Sequence, residues 1–315
     1  MGLNKKLAVA FMVTGLVAMG TGFWLFLGNM GFLKNTDSGV PVKSGGNAGK
    51  GEISLVLVGD IMLGRGVEIV SRQKGDPGYP FLKVAERVRE ADIVFGNLEN
   101  PIVENCPVHS EGFKFCATPW MIGGLVFSGV DVVSLANNHS LNYGREGLAQ
   151  TKRLLLDQGI DSVGVGELLV REAGGVKFGF MGFEYVGKGF NKGDLEKIRK
   201  ADQGVDVLVV GVHWGEEYKS EPGRGLRDWG EKMIEAGADV VSGHHPHWVQ
   251  GWEYIGGKPV FWSLGNFVFD QMWSEKTRQG MGVWLRYEGN TLKSVETIPT
   301  FMEAWAQPSW LESEN

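Results

Sequence analysis

Short apolar stretches recur along the chain, and each ends in a polar or glycine-containing segment. Six have strand composition: Ile53–Val58, Asp92–Phe95, Val130–Leu135, Val205–Val212, Ala238–Ser242 and Val260–Leu264. Between them lie segments of helical pattern: Tyr79–Glu90, Pro119–Ser128, Arg145–Gln158 and Gly223–Ala236. Strands that alternate with helices predict an α/β fold whose strands are buried on both faces.

The chain contains three further strand patterns. Val176–Phe183 is one, and Met281–Glu288 with Thr291–Thr297 predicts a hairpin that turns at Gly289-Asn290. These strands are too many for one simple open sheet. We therefore expect two sheets that pack together and are covered by helices.

The N-terminal residues predict a membrane anchor. No charged residue occurs from Leu7 to Leu33, and Leu7–Leu27 reaches the ~20 residues that span a bilayer. Lys5 and Lys6 precede it, which favours a cytoplasmic segment at residues 1–6 and an extracytoplasmic main domain. A cleaved signal peptide is the alternative. It also places the main domain outside the cytoplasm.

The polar, glycine-rich segment at residues 28–51 predicts a flexible extracytoplasmic linker. We expect the folded domain at residues 52–305 and a C-terminal tail at residues 306–315. Cys106 and Cys116 are the only cysteines, too few for a thiolate zinc site. Outside the cytoplasm they could form a disulfide, and the sequence leaves open whether they are bridged or free.

Composition narrows the classes of partner. The chain is 43% hydrophobic and 22% charged, which excludes a disordered protein and a polytopic membrane protein. Its net charge is −6 and it has no basic run, so nucleic acid is not expected as a partner. An acidic protein needs a local cation, a metal ion or an arginine, to hold an anionic polymer.

Residues capable of metal chemistry follow the predicted strands. They are five of the six histidines, two carboxylates and an amide: His139, His213, His244, His245, His247, Asp60, Glu99 and Asn138. If the strands are parallel neighbours, these side chains meet at one rim of the sheets. Imidazole, carboxylate and amide oxygen are ligands of divalent metals, and a site for two ions needs about this many.

Each residue alone also has an ordinary structural explanation. Asp60 could be a turn or helix-cap residue, and Asn138 could be a turn former. His213 could be a structural histidine at a strand end. His245 and His247 are harder to explain in this way, because alternate residues of an extended segment point to the same side. Together the residues favour a metal site.

Several motifs resemble those of the CapA family, bacterial proteins linked to poly-γ-glutamate capsule synthesis. They are Gly59-Asp60-Ile61-Met62-Leu63-Gly64-Arg65, Asn97-Leu98-Glu99, Ala136-Asn137-Asn138-His139, His213-Trp214-Gly215, Gly243-His244-His245-Pro246-His247 and Ser263-Leu264-Gly265-Asn266-Phe267. The family is related to calcineurin-like metallophosphoesterases. This resemblance implies a four-layer αββα sandwich with a dinuclear metal site. The uncharged N-terminal stretch predicts one transmembrane helix before it.

The resemblance also implies roles for individual residues. Six match metal-ligand positions: Asp60, Glu99, Asn138, His213, His245 and His247. His139 matches the histidine that protonates the leaving group in the phosphoesterases. The sequence departs from those enzymes in having Met62 where they carry a histidine ligand. This departure weakens the case for a second metal ion.

Three further residues have less definite roles. The histidine run is one residue longer than in the enzymes, which leaves the role of His244 open. Asn266 is a candidate for a further oxygen near the rim. Arg65 could bind an anionic phosphate or carboxylate, or it could be a surface arginine.

The expected function is that of a membrane-anchored, extracytoplasmic CapA-like protein of capsule polymer synthesis with a metallophosphoesterase-like metal site. One or two divalent ions are expected, with Mn, Fe and Zn as candidates. The expected partners are the membrane, membrane subunits of a polymer synthase or export complex, and an anionic polymer or phosphoester substrate. The alternatives are a metal-dependent hydrolase of phosphoesters or γ-glutamyl amides, and a non-enzymatic scaffold.

Overall fold

The structure is a computed structural model that describes residues 51–311. The helices of this range are α1 (Arg65–Lys74), α2 (Ala85–Val88), α3 (Ile122–Ser128), α4 (Gly144–Leu156), α5 (Gly193–Asp202), α6 (Arg224–Glu235) and α7 (Glu275–Arg278). The predicted segments 1–6 and 7–27, and all of the linker except residue 51, lie outside the described residues. Within the described range no helix is both long and apolar enough to span a bilayer.

The strands form two sheets. They are β1 (Glu52–Ile61), β2 (Ile93–Leu98), β3 (Val132–Ser134), β4 (Asp161–Val163), β5 (Leu168–Ala173), β6 (Val176–Glu184), β7 (Val207–His213), β8 (Val240–His244), β9 (Val249–Ile255), β10 (Lys258–Leu264), β11 (Asn266–Val268), β12 (Gln279–Glu288), β13 (Thr291–Ala304) and β14 (Gln307–Trp310). The first sheet has the order β14-β13-β12-β1-β2-β3-β4, with β11 beside β1, and the second has the order β5-β6-β7-β8-β10-β9. The predicted mixed α/β fold with two sheets is confirmed.

Each sheet contains a block of adjacent parallel strands. β1 to β4 run parallel in the first sheet, and β6, β7, β8 and β10 run parallel in the second. Parallel neighbours end at the same edge of a sheet. The residues at the ends of β1, β2, β7 and β8 are therefore brought to sheet edges, as the sequence predicts.

Strand β1 shows why the two sheets pack together. Leu55 and Leu57 belong to the hydrophobic cluster shared with the second sheet. Val56 and Val58 belong to the cluster on the helix-covered face. Because successive side chains of a strand point to opposite faces, a continuous apolar run fills both clusters. Between the sheets, Phe95 of β2 stacks on Phe180 of β6 with ring centroids 5.4 Å apart.

Helices cover the outer face of each sheet. Val67 of α1 and Leu125 of α3 pack in the cluster on the first sheet. Ile198 of α5 and Met233 of α6 pack in the cluster on the second. The described domain is therefore layered as helices, sheet, sheet and helices, with apolar contacts between successive layers.

The structure corrects some predicted elements. The segment Tyr79–Glu90 forms a 3₁₀ turn and the short helix α2 instead of one helix. The break lies at Val84, whose φ of −118° is far from the ideal helical value. Helices α1 and α5 were not predicted, because their patterns are largely polar. The predicted hairpin is confirmed, since β12 ends at Glu288 and β13 begins at Thr291.

The first sheet ends with a strand in a segment predicted to be a tail. Residues 307–310 form β14, which pairs antiparallel with β13. The side chain of Gln307 also donates a 2.7 Å hydrogen bond to the carbonyl of Tyr79. These residues are therefore attached to the folded domain.

Candidate metal centre

The polar residues at the strand ends converge on one buried centre. Asp60 lies near the end of β1, Glu99 directly follows β2 and His213 ends β7. His245 and His247 follow β8 in the connection to β9. All five are at most 4% exposed. This convergence agrees with the rim predicted from the sequence.

One oxygen of Glu99 lies at the middle of the centre. Glu99 Oε1 is 3.7 Å from His247 Nε2, 3.8 Å from His213 Nε2 and 4.0 Å from His139 Nε2. It has no hydrogen-bond partner within residues 51–311, and neither does His245 Nδ1. Buried polar atoms are normally satisfied, so unpartnered atoms on two residues of the same centre indicate a missing ligand.

Two groups of residues could hold a metal ion, and they share Glu99. One is Glu99 with His245 and His247, and the other is Asp60 with Glu99 and His213. In each group the potential ligand atoms lie within 4.8 Å of one another. Carboxylate and imidazole are a suitable donor set for a divalent transition metal. The residues therefore fit a metal ion.

Asp60 is tied to three of the histidine-run residues. Its Oδ1 lies 3.1 Å from His244 Nδ1, and its Oδ2 accepts from the backbone N–H of His245 at 3.3 Å. Oδ2 is also 3.4 Å from His247 Nδ1. A single carboxylate thus links the end of β1 in one sheet to the end of β8 in the other.

The two carboxyl groups have opposite pKa shifts. Burial raises the pKa of Glu99 well above its usual range, and its Oε1 has no hydrogen-bond partner among the described residues to compensate for the lost water. Burial also acts to raise the pKa of Asp60. Hydrogen bonds with His244 and His247 outweigh this and hold the pKa of Asp60 well below its usual range. A cation beside Glu99 would remove the cost of its ionised form.

The pKa values of the imidazoles also differ because their surroundings differ. Burial lowers the pKa of His213 well below its usual value, and it lowers the pKa of His245 to about 4. Burial acts the same way on His247, but Glu99 and Asp60 outweigh it and raise the pKa of His247 to about 9. Neutral His213 and His245 are in the form that binds metals.

Asn138 and His139 line the open side of the centre. Asn138 is exposed, and its Oδ1 lies 3.0 Å from His213 Nε2. His139 is stacked on Phe115 with ring centroids 3.9 Å apart, and its Nδ1 is 3.1 Å from Asn142 Nδ2. Burial, with the charges of His247 and Arg65, lowers the pKa of His139 to about 4. His139 lies beside the ligand groups and is accessible from outside, with 12% exposure.

Arg65 does not project freely into solvent. Its guanidinium pairs with Asp270 at 2.5 Å and donates to the carbonyl of Gly112 at 2.9 Å. It also lies 4.3 Å from the centroid of the Phe115 ring. The interpretation of Arg65 as a plain surface residue is therefore wrong, and its role in binding a substrate stays a prediction.

The two residues of uncertain role contact predicted ligands. His244 bonds to Asp60 on one side, and its Nε2 lies 3.3 Å from Ser242 Oγ on the other. Asn266 Oδ1 is 2.9 Å from His247 Nδ1, while its Nδ2 donates to the carbonyl of Thr277. A hydrogen bond to Nδ1 orients the ring so that Nε2 faces Glu99.

Sequence reasoning did not assign Asn97 a role. Its Nδ2 is 2.8 Å from Asp60 Oδ1, 3.3 Å from His213 Nδ1 and 3.4 Å from Glu99 Oε2. The signal available was its spacing, since Asn97 and Glu99 are alternate residues that point to the same side of an extended segment. On the ground of this spacing, Asn97 could have been predicted from the sequence to belong to the metal centre.

The structure shows Cys106 and Cys116 joined in a disulfide. The loop that it closes supplies both Gly112 and Phe115 to the surroundings of Arg65 and His139. The open side of the centre is thus bounded by a covalently closed loop.

Comparison with known proteins identifies the family. The sequence profile of the bacterial capsule synthesis protein family PGA_cap matches residues 54–271. The chain belongs to this family. The predicted resemblance to CapA proteins is confirmed, and the relation to metallophosphoesterases is consistent with it.

Two curated relatives in this PGA_cap family are similar over most of their length. The capsule biosynthesis protein CapA of Bacillus anthracis is 31% identical, over 85% of this chain and 71% of the relative. The PGA biosynthesis protein CapA of Bacillus subtilis is 33% identical, over 78% of this chain and 71% of the relative. These matches support a CapA-like protein of capsule and poly-γ-glutamate synthesis.

A solved structure shares the fold. The crystal structure of a hypothetical protein from Thermus thermophilus matches with a TM-score of 0.51 and 13% identity. The match covers 78% of this chain and 98% of the other. At this identity the likeness concerns the fold alone.

Proposed function

We propose that this protein is a membrane-anchored, extracytoplasmic component of poly-γ-glutamate capsule synthesis that works with a bound divalent cation. The carrying observation is the buried carboxylate of Glu99, whose unpartnered Oε1 lies within 4.0 Å of three imidazoles. The cation is Mn, Fe or Zn. When bound, such an ion supplies Lewis-acid chemistry to a phosphoryl or acyl group.

Two features support a location outside the cytoplasm. The uncharged stretch Leu7–Leu27 follows Lys5 and Lys6, the charge order of an anchor with a cytoplasmic N-terminus. The disulfide between Cys106 and Cys116 is of the kind that persists in oxidising compartments. At this location the domain can meet the polymer as it leaves the membrane subunits of a synthase or export complex.

The charge of the protein supports a role for the cation in binding the polymer. With a net charge of −6, the chain as a whole repels polyglutamate. A metal ion at Glu99 would provide a local positive charge at an otherwise acidic centre. An anionic polymer or a phosphoester is the class of substrate that such a site attracts.

A metal-dependent hydrolase is the second candidate, and the position of His139 favours it. His139 Nε2 lies 4.0 Å from Glu99 Oε1 on the open side, where it could exchange a proton with a leaving group. The bonds cleaved would be phosphoesters or γ-glutamyl amides. A scaffold without catalysis is the remaining alternative.

The test is complementation in the host bacterium lacking its own copy of the gene. His245→Ala removes an imidazole whose Nδ1 has no hydrogen-bond partner among the described side chains, so it breaks no internal bond there. We expect it to reduce surface poly-γ-glutamate at equal protein level. His109→Ala is the matched control, since His109 Nδ1 is likewise unpartnered but lies in the disulfide loop.

Three outcomes separate the alternatives. Full complementation by His245→Ala would refute a function that needs the cation and would favour a scaffold. Absence of any gene-dependent polymer would refute the capsule role. Metal-dependent turnover of phosphoesters or γ-glutamyl amides by the purified protein, abolished by His139→Ala, would establish the hydrolase.

A further inference from the structure

We propose that the centre binds one divalent ion, held by Glu99, His245 and His247, and that the side-chain amide of Asn97 takes the place of a second ion. This inference rests on the proposed cation binding and makes it specific. It concerns the two groups of possible ligands that share Glu99. The surroundings of these two groups differ.

Only one of the two groups contains both unpartnered atoms. Glu99 Oε1 and His245 Nδ1 are buried and have no hydrogen-bond partner within residues 51–311. His247 Nε2 faces the same oxygen at 3.7 Å, because its Nδ1 is directed to Asn266 and Asp60. The potential ligand atoms of these three residues lie within 4.8 Å of one another.

The other group is already satisfied by hydrogen bonds. Asp60 Oδ1 accepts from Asn97 at 2.8 Å and lies 3.1 Å from His244 Nδ1. Asp60 Oδ2 accepts from the backbone N–H of His245. His213 Nδ1 lies 3.3 Å from Asn97 Nδ2, which leaves the ring proton on Nε2 towards Asn138 Oδ1. An ion here would have to displace these bonds.

The orientation of the Asn97 amide follows from its neighbours. Asn137 must direct its NH₂ to the carbonyl of Leu98, 2.9 Å away, since a carbonyl only accepts. Asn137 Oδ1 correspondingly accepts from the backbone N–H of His139. The same NH₂ of Asn137 donates to Asn97 at 3.1 Å, so the atom of Asn97 that faces it is the oxygen. The NH₂ of Asn97 therefore faces Asp60.

An NH₂ group in this place excludes a cation. Its protons carry partial positive charge, and they bind the oxygen of Asp60 and the nitrogen of His213 that a second ion would need. Met62, two residues after Asp60, adds no imidazole, and its sulfur accepts a 3.2 Å hydrogen bond from the N–H of Gly64. Asn97 thus stabilises the carboxylate of Asp60 without a metal.

The ligand set indicates the class of ion. One carboxylate with two imidazoles suits zinc or ferrous iron better than magnesium or calcium, which prefer oxygen ligands. Zinc is the practical probe because it has no redox chemistry. The inference is therefore tested with Zn²⁺ alone.

The experiment measures bound zinc per chain by elemental analysis of the detergent-solubilised full-length protein after equilibration at fixed free Zn²⁺. We expect about one ion per chain for the wild type and about two for Asn97→Asp, which replaces the NH₂ by an oxygen ligand. Asn142→Asp, which adds the same charge at the rim without facing Asp60, should stay at about one. Circular dichroism checks that each variant is folded.

Each possible zinc count either supports or overturns the inference of a single ion. The inference would be overturned if the wild type bound two ions, or if Asn97→Asp bound only one. It would also be overturned if both aspartate variants bound an additional ion. His245→Ala gives a test that does not depend on the folding of Asn97→Asp. With a single site this variant loses the only ion, whereas an ion retained by it would overturn the proposal.

Failure of the inference can be told apart from failure of the proposed function. Two bound ions with an intact capsule role would refute only the single-ion site. One bound ion with full complementation by His245→Ala would refute only the metal-dependent function. No bound zinc in the wild type would refute the single zinc site, while complementation by His245→Ala would still decide the metal-dependent function.

Discussion

The aromatic core between the sheets and the polar centre at the strand ends are buried to the same degree, but burial has opposite effects in the two. Phe95 lies within β2 and Glu99 directly follows it, four residues on, and both are 0% exposed. Burial of Phe95 stabilises the fold. Burial of Glu99 with its Oε1 unpartnered costs free energy and raises its pKa. The comparison indicates that the centre is built for a ligand, whereas the core is complete without one.

The largest change in stability is expected for a substitution in the aromatic core between the sheets. Phe95→Ala removes a ring that stacks on Phe180, and it should lower the free energy of unfolding by about 3–5 kcal/mol. Denaturant unfolding with and without added Zn²⁺ should give the same loss. Phe113→Ala, at a position 83% exposed, should change stability by less than about 0.5 kcal/mol. A loss at Phe95 that depended on zinc would show that core and centre are coupled.

A smaller change in stability, an increase, is expected for a substitution of Glu99 in the metal centre. Glu99→Gln in chelator-treated protein should raise the free energy of unfolding at pH 8 by about 1–3 kcal/mol, because it removes a buried carboxylate whose Oε1 is unpartnered. The sign follows from linkage: a raised pKa in the folded state means that stability is lost as pH rises from the usual carboxyl range towards that pKa. The same variant should no longer bind zinc.

Glu68 provides the matched comparison for this prediction. It is 1% exposed, but its carboxylate accepts from Arg72, from the backbone N–H of Thr118 and from the Thr118 hydroxyl. Glu68→Gln should therefore lower the free energy of unfolding, by about 1–3 kcal/mol. If both substitutions destabilised the protein equally, the distinction between a satisfied and an unsatisfied carboxylate would be wrong.

The smallest effect concerns acid stability. The pKa of His245 is lowered to about 4, chiefly by burial. Its contribution to stability is therefore present above its ordinary pKa of about 6.5 and is lost as pH falls towards 4. In metal-free His245→Ala, the loss of stability between pH 7 and pH 4.5 should be smaller than in the wild type by about 1–2 kcal/mol. An unchanged pH dependence, equal to that of His109→Ala, would contradict this.

Much of the candidate site could be predicted because its residues follow strands. Asp60, Glu99, His213, His245 and His247 come after apolar runs whose burial on both faces is readable from composition. Parallel strands end at one edge, so the convergence of these residues followed from the α/β pattern. The strands and the late hairpin were predictable for the same reason.

The partners of these residues could not be predicted in this way. Arg65 pairs with Asp270, which is 205 positions away, and Asp60 contacts His244 across 184 positions. No local pattern links such residues. Helices α1 and α5 were missed because few of their side chains are buried, which leaves little apolar periodicity to recognise.

By itself the sequence determined the strand and helix alternation, the residues at the strand ends and the family to which the chain belongs, since these depend on local pattern and on motifs. Only the tertiary structure decided which atoms of the centre are satisfied. The direction of the Asn97 amide, the unpartnered oxygen of Glu99 and the bridge between Cys106 and Cys116 all depend on atoms from distant segments meeting at hydrogen-bond or bonding distance. Hydrogen bonds act over about 3 Å, so their pattern is set only once the two sheets have packed.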